Sequence, residues 1–228
     1  MSAQVLPFKL PAFEAVPLAE QLPQGRLTEI TRLPSGAQLT LAASCVVGVQ
    51  THGEPVAWLQ QVGGSLFPPD LAESGVDLDA LLVVHVPAVA GRAGLCKAAE
   101  LLLRSGSFGL VVIDLVGNAG EGAGTAGQLQ LQAQSRLLGL AREHDSAVLL
   151  LSDSRQQLVR HAWQDARQHA QQDVQHGSLG PLVGLCIEPH RQRVSRGVFR
   201  IEPRARKDKS GSLCALATEP RRGPWGLL

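Results

Sequence analysis

The sequence contains no run of about 18 consecutive apolar residues, the length that a membrane-spanning helix needs. Its amino terminus also lacks the basic segment followed by an apolar segment that marks a secretory signal. Hydrophobic residues nevertheless make up 44% of the 228 residues, which excludes general disorder. We therefore expect a cytoplasmic protein with one substantial core and no membrane partner.

Closely spaced metal ligands are also absent. The four cysteines include no Cys-x-x-Cys pair and lie largely in apolar or mixed segments, which is typical of buried free thiols in a reducing compartment. Three histidines in a Gln-rich helical segment are spaced eight and seven residues apart, whereas helical ligand pairs usually lie three or four apart. We expect no metal site. The residues concerned are Cys45, Cys96, Cys186, Cys214, His161, His169 and His176.

The chemistry of a phosphate-binding loop is missing, although its frame is present. A predicted strand (residues 25–30), loop (33–36) and helix (37–47) follow one another as in such a loop. The motif requires Gly-x-x-x-x-Gly-Lys-Ser/Thr, whose backbone, lysine and hydroxyl contact phosphates and magnesium. The corresponding positions here are Arg32 and Ala37 for the glycines, Gln38 for the lysine and Leu39 for the hydroxyl residue.

A carboxylate that could orient an attacking water is missing as well. The next predicted strand covers residues 55–60, and no acidic residue lies between Glu54 and Asp70. Hydrolytic ATPases commonly place a glutamate in this part of the chain. We therefore identify no catalytic residue.

The most apolar strand is predicted at residues 108–113, and it ends in the carboxylate Asp114. A short β-branched run of this kind indicates a central strand of a parallel sheet that is covered on both faces. Open α/β sheets hold ligands at the carboxyl ends of their strands, where an Asp typically holds the metal of a nucleoside triphosphate. A turn that follows the strand would explain an aspartate equally well.

The order of elements predicts an α/β fold with a doubly wound, predominantly parallel sheet and flanking helices in a single domain. Further buried strands are predicted at residues 81–86 and 147–151, and further helices at 95–104 and 128–144. Prolines interrupt every candidate helix in residues 1–24, which we interpret as an arm. Residues 25–210 form the predicted core, residues 211–228 a tail, and the five glycines of residues 117–127 a flexible loop.

Positive charge is concentrated near the carboxyl end. Residues 188–222 contain ten basic and four acidic side chains, a net charge of +6, whereas the whole chain carries +1. Such asymmetry is typical of a surface that meets nucleic acid or an acidic protein, although a solvated basic face would look the same. The candidate contact residues are Arg191, Arg193, Arg196, Arg200, Arg204 and Arg206.

Five segments in this order resemble the core of the RecA recombinase family over roughly residues 22–210. They are Gly-Arg-Leu-Thr-Glu-Ile at 25–30, the Ser-Gly and Thr-Leu-Ala remnants at 35–42, Ser-Gly-Val-Asp-Leu-Asp-Ala-Leu-Leu-Val at 74–83, Leu-Leu-Leu-Arg-Ser-Gly at 101–106 and Leu-Val-Val-Ile-Asp at 110–114. Residues 22–30 and 66–72 further resemble ImuA, a family of divergent RecA-like accessory factors. The resemblance implies a DNA-damage (SOS) response role in mutagenic translesion synthesis, as a mutasome adaptor that joins RecA and ImuB.

The resemblance also assigns roles to individual positions. It places the metal-side aspartate at Asp114, the phosphate-loop lysine at Gln38, the catalytic glutamate at about Gly63 and the γ-phosphate-sensing glutamine at Asp153. Three of these four positions have lost their chemistry, so the resemblance implies a degenerate nucleotide site and no cofactor. ATP and magnesium would bind only in the alternative of a weak or DNA-stimulated ATPase. A second alternative is a DNA-binding module that uses the basic carboxyl-terminal stretch.

One element of RecA's intermolecular chemistry is retained. Lys207-Asp208-Lys209 resembles, with Asp for Asn, the lysine pair through which one RecA protomer reaches the ATP phosphates of its neighbour. The shortened glycine-rich loop at residues 117–127 corresponds to the first DNA-binding loop of RecA but contains no Lys or Arg. The resemblance therefore implies RecA and ImuB as partners and leaves DNA as a further candidate, while this loop argues against DNA binding in the central channel. Two lysines in a basic, solvated turn could also match the pair by chance.

Overall fold

The fold, taken from a computed structural model, is one eight-stranded sheet with helices packed on both faces. The structure describes residues 18–34, 36–64, 66–116, 129–153, 180–196, 198–209 and 219–222. The strands are β1 (Leu27–Arg32), β2 (Val56–Gln61), β3 (Leu81–Val86), β4 (Leu110–Asp114), β5 (Ala147–Asp153), β6 (Leu185–Ser195), β7 (Val198–Asp208) and β8 (Glu219–Arg222). The helices are α1 (Leu18–Gln21), α2 (Gln38–Gln50), α3 (Pro68–Glu73), α4 (Gly91–Arg104) and α5 (Leu131–Glu143).

The sheet has the order β3-β2-β4-β5-β1-β6-β7-β8. The six strands from β3 to β6 pair in parallel, and β7 and β8 continue the sheet in antiparallel fashion. The predicted doubly wound, predominantly parallel fold is confirmed. None of the helices in the described ranges is long and apolar enough to cross a membrane.

Alternating side chains divide the core into two layers. On the first face of the sheet, Ile30, Trp58 and Leu149 pack among residues of α1, α2 and α3. On the second face, Leu59 and Ile113 pack among residues of α4 and α5. Strand β4 is buried along its whole length between β2 and β5, as its uninterrupted apolar sequence predicts.

Two predictions about the periphery are wrong. Residues 81–86 form the edge strand β3, which is only partly buried, because β2 is its one partner within the described residues. Its apolar composition resembles that of a central strand, but Leu82 is 43% exposed. The second error concerns the proline-rich arm, where the short helix α1 forms and buries Leu18 in the first core layer.

The longest strands were not predicted. β6 and β7 form an antiparallel hairpin in which only Leu185–Ile187 of β6 pair with β1. By this register the carboxyl end of β1 lies opposite position 189 of β6, so the remaining six residues of β6 extend the hairpin roughly 20 Å past it, at about 3.3 Å per residue. We call this projecting hairpin the ribbon. It carries all six of the candidate contact arginines.

The cysteine prediction holds where the structure describes it, since Cys45, Cys96 and Cys186 are buried free thiols. Several other predictions fall outside the described residues. They concern Cys214, the three histidines of the Gln-rich segment, the glycine-rich loop at residues 117–127 and most of the tail.

Candidate functional site

The carboxyl ends of β1, β4 and β5 lie side by side, with the start of α2 following β1 after a five-residue loop. The register pairs Arg32 with Asp153 and Asp114 with Leu151. The four positions of the predicted degenerate nucleotide site, Gln38, Leu39, Asp114 and Asp153, therefore meet at one edge of the sheet. Their individual contacts decide what this edge can bind.

Gln38, at the position of the phosphate-loop lysine, is built into the fold. Its side chain is buried, and its amide nitrogen donates to the carbonyl oxygen of Ile30 at 2.5 Å and to that of Ser152 at 2.9 Å. The amide thus joins the last residues of β1 and β5. In a phosphate-binding loop, the lysine at this position contacts phosphate outside the protein core. Gln38 instead donates both amide hydrogens to oxygens inside the protein.

The neighbouring positions of the loop are apolar. Ala37 is fully buried at the start of α2, and no side chain caps that helix. Leu39, at the position of the magnesium-binding hydroxyl, packs against the first core layer. This end of α2 therefore presents packed hydrocarbon where a phosphate-binding loop presents oxygen and open backbone.

Asp114 ends β4 as predicted, but its carboxylate is held by its own turn. Its Oδ1 accepts a hydrogen bond from the backbone N–H of Val116 at 2.9 Å, and the residue is 4% exposed. Burial raises the pKa of Asp114 above its ordinary value, against the opposing effects of the Val116 N–H and the Arg32 charge. The turn that follows the strand thus gives this aspartate a structural role.

The position of the catalytic glutamate is a glycine in a left-handed turn. Gly63 has φ +83°, a conformation that a glutamate would adopt only under strain. The turn is fixed by buried Gln60, whose Oε1 accepts a hydrogen bond from the N–H of Leu66 at 3.2 Å. The residues at this edge therefore do not fit ATP with magnesium, because the lysine, the hydroxyl and the carboxylate that would contact them are replaced or used internally.

A buried polar network continues from this edge into the second face of the sheet. Ser152 donates from its Oγ to Glu29 Oε1 at 2.6 Å, and Glu29 is fully buried in the middle of β1. On the next strand, Cys186 lies 3.6 Å from the hydroxyl of Thr31. Sequence reasoning missed this network. Its signal in the sequence is the pair of polar residues Glu29 and Thr31, which are two positions apart and therefore lie on one face of β1.

Lys207 lies in β7, and Lys209 lies in an exposed bend directly after the end of that strand. Lys207 donates from Nζ to the carbonyl oxygen of Gly180 at 3.0 Å, and Lys209 donates from Nζ to that of Pro181. Burial lowers the pKa of Lys207, and the positive charge of Lys209 lowers it further. Both ammonium groups therefore contact the segment that leads into β6.

The six candidate arginines of the ribbon fall into two groups. Near its base, Arg204 pairs with Glu202 at 3.1 Å and Arg206 with Glu188 at 3.3 Å. Toward the hairpin turn, four exposed arginines form no ion pair with any described residue, and we call them the arginine tip. The tip comprises Arg191, whose guanidinium lies 4.8 Å from the ring centre of Phe199, with Arg193, Arg196 and Arg200.

We predict that Gln38→Met lowers the free energy of unfolding by about 2 kcal/mol or more, because two buried carbonyl groups lose a donor. The matched control is Gln50→Met at the other end of α2. Gln50 also makes two hydrogen bonds, to the backbone N–H and carbonyl of Asp77, but it does so in solvent. We expect that change to cost about 0.5 kcal/mol. Denaturant unfolding of both variants measures the difference, and equal costs would contradict a structural role of Gln38.

Comparison with known proteins is consistent with this geometry. The RecA protein of Leifsonia xyli subsp. xyli is 30% identical over 149 residues, which cover 60% of this chain and 40% of that protein. The RecA protein of Thermus aquaticus is 32% identical over 136 residues, which cover 58% and 39%. The chain thus spans about two fifths of the length of these relatives. The crystal structure of the RadB recombinase superposes with a TM-score of 0.57 over 88% of each chain at 16% identity, a likeness of fold.

The family model of the RecA N-terminal domain matches residues 15–156. This match covers more than half of the 228 residues and contains β1 to β5 with the whole candidate nucleotide edge. The chain therefore belongs to the RecA N-terminal domain family.

Proposed function

We propose that this protein is a non-hydrolytic RecA-like adaptor of the ImuA type, which joins RecA and ImuB in damage-induced mutagenic translesion synthesis. The resemblance of residues 22–30 and 66–72 to ImuA supports the assignment within the family. The first of these segments leads into β1, and the second contains the loop and first turns of α3. The partners themselves rest on the resemblance alone.

The observation that carries the proposal is the placement of Gln38. A RecA-type enzyme needs a cation at this position to bind and stabilise the transferred phosphate. Here a neutral amide joins β1 and β5 through two hydrogen bonds that involve no nucleotide. A protein that descends from an ATPase but binds other proteins needs an intact fold and a nucleotide edge whose polar groups bond within the chain.

We predict that the purified chain releases no phosphate from ATP above background, with or without single-stranded DNA. Removal of the lysine and the catalytic carboxylate eliminates contacts to the transition state that are each worth about 3 kcal/mol, or more than a hundredfold in rate. Asp114→Asn, which keeps the shape of the Val116 turn, is the control for contamination. Steady turnover that Asp114→Asn abolishes would establish the ATPase alternative and reject the adaptor.

The contact with RecA is proposed to use the lysine pair. Lys207 and Lys209 retain the donor side of the RecA protomer interface, whereas the chain's own nucleotide edge has lost the receiving side. The protein would then dock onto the nucleotide face of a terminal RecA protomer and accept no further protomer itself. It would mark one filament end and bring ImuB there.

We predict that Lys207→Met combined with Lys209→Met weakens association with RecA at least about tenfold, because two ammonium contacts to phosphate at a desolvated interface are lost. Methionine keeps the length of the aliphatic stem. The effect should require ATP or a non-hydrolysable analogue on RecA, and filament-end binding or pull-down measures it. Association that depends on neither the lysines nor the nucleotide would disprove this mode of docking.

A second candidate function is nucleic-acid binding by the arginine tip. Its four guanidinium groups project beyond the sheet and have no carboxylate partner in the described part of the chain. Arginine in such a setting suits phosphate, since its planar fork binds two oxygens at once. The base of the ribbon is less suited, because Glu188 and Glu202 already compensate its arginines.

We predict that any affinity for DNA falls by roughly 0.7 to 0.9 log units per log unit of salt for each phosphate that the tip neutralises. Reversal of Arg191, Arg193 and Arg196 to Glu should remove most of this salt dependence without unfolding the core. The matched control, Arg204→Glu, changes a charge that Glu202 already compensates and should have a smaller effect. Titrations by fluorescence anisotropy at several salt concentrations make the comparison. Binding that is insensitive to salt, or equal losses for tip and control, would exclude the tip as the phosphate contact.

A further inference from the structure

The arginine tip is the end of a three-stranded sheet rather than of a bare hairpin. Strand β8 pairs with residues 198–201 of β7, on the side of β7 away from β6. Strand β7 is therefore the middle strand at the tip, and Phe199 lies on it. Three strands span about 10 Å between their backbones, at roughly 4.8 Å per pair. This width exceeds the minor groove of duplex DNA, at about 6 Å, and the two-stranded ribbon that the major groove admits.

Phe199 shares one face of the tip with two of the four arginines. It lies directly opposite Arg193 in the register. The next pair toward the core on the same side is Arg191 with Ile201. Directly opposite residues of two strands point to the same side of a sheet, as do residues two apart, so these four lie on one face. We call it the aromatic face, and Arg200 lies on the opposite face.

Charged residues are distributed unequally between the two faces of the ribbon. From position 187 of β6 to position 205 of β7, every other residue of these strands on the aromatic face is apolar, so that Arg191 and Arg193 carry its only charges. Glu188 and Glu202 lie on the opposite face, where both pair with arginines. The aromatic face thus presents positive charge with no carboxylate from this part of either strand, which suits a chain of phosphates.

Arg191 and Phe199 form a stacked pair at the surface. The guanidinium carbon of Arg191 lies 4.8 Å from the centre of the Phe199 ring, a cation–π contact between diagonal neighbours on adjacent strands. Arg191 is exposed and Phe199 is half-buried, and Phe199 packs in neither core layer of the described residues. A guanidinium plane and an aromatic ring are the two side-chain groups on which unpaired nucleobases stack.

We propose that the aromatic face is a base-stacking site for single-stranded DNA, in which an unpaired base stacks on the Arg191–Phe199 pair and Arg193 binds a neighbouring phosphate. A duplex cannot use the site in this way, because its bases are stacked on one another and only their edges are accessible. Proteins that bind single strands combine the same elements, aromatic rings for the bases and cations for the backbone. The inference rests on the second candidate function, nucleic-acid binding by the arginine tip, and adds a preference for unpaired bases.

The residues that carry this inference lie outside the part of the chain that matches the family. The model of the RecA N-terminal domain matches residues 15–156, whereas β6 begins at Leu185. The glycine-rich loop at residues 117–127, which the resemblance relates to a DNA-binding loop, is a different segment of the chain. The base-stacking site would therefore be a separate contact, specific to the ribbon of this chain.

The role of the bases is tested on the wild-type chain, so that no variant has to fold. A single-stranded oligonucleotide should bind at least about fivefold more tightly than a strand of equal length whose central nucleotides are abasic, which is the lower end of what one base–aromatic stack contributes. Both strands carry the same phosphates, so their salt dependences should be equal. Fluorescence anisotropy at several salt concentrations measures both quantities. Equal affinities for the two strands would overturn the base-stacking site.

Two conservative variants test the stacked pair itself. Phe199→Leu keeps an apolar side chain, and Arg191→Lys keeps the charge but removes the planar group from an exposed position. Each should weaken single-strand binding at least about threefold and reduce the advantage over the abasic strand, because stacking but no charge is lost. Duplex affinity should stay nearly unchanged in both variants. Arg200→Lys, on the opposite face, is the matched control and should leave the preference for bases intact.

Equal losses on the normal strand, the abasic strand and the duplex would show that the pair only supports the ribbon, and would overturn the proposal. The outcomes also separate this inference from the function on which it rests. If no strand binds at low salt, nucleic-acid binding by the tip is rejected, and the base-stacking site with it. Binding that is indifferent to the bases rejects the base-stacking site alone. Neither result bears on the association with RecA, which the Lys207 and Lys209 variants test.

Discussion

Two hydrogen bonds from the Gln38 amide, to the carbonyl groups of Ile30 and Ser152, fix the start of α2 against the parallel sheet. They join the central strands β1 and β5 at the edge where the fold family binds its nucleotide. A lysine at this position needs a phosphate, or water, to satisfy its charge, and its ordering is therefore tied to a ligand. A buried glutamine is satisfied by the backbone alone. With glutamine in place of lysine, hydrogen bonds within the chain order this position, and no ligand takes part in them.

Two further glutamines extend the same principle. Gln60 orders the turn after β2, and Gln134 connects the start of α5 with the segment 180–184. Each is buried and bonded to backbone groups outside its own helix or strand, Gln60 to Leu66 and Gln134 to Leu129 and Leu182. Because an amide offers donor and acceptor without net charge, it can be buried at far lower cost than a lysine or a glutamate. Neutral amide side chains thus position the loops around the edge.

The sequence predicts the strands of the parallel core well, because the residues within each strand are sufficient to indicate it. The apolar runs of β2, β4 and β5 require burial on both faces, and a parallel sheet provides it. Edge position is not local, so the apolar run of β3 predicts a buried strand although β3 lies at the edge of the sheet. The ribbon escaped prediction because its outer residues are charged on both faces and are held by cross-strand pairing rather than by burial. The partners of Gln38 lie 8 and 114 residues away, so no short-range pattern indicates them.

The arginine tip and the lysine pair hold their positive charge in different ways, and this difference bears on function. The arginine tip is exposed and uncompensated within the described residues, whereas Lys207 and Lys209 are held on backbone carbonyls. Uncompensated charge attracts an anionic partner over a distance comparable to the Debye length and mainly accelerates encounter. The ammonium groups of Lys207 and Lys209 must leave their internal hydrogen bonds before they can bind a partner. This conformational step favours selectivity between partners. In the proposed adaptor function, the arginine tip would attract a partner and the lysine pair would discriminate between partners.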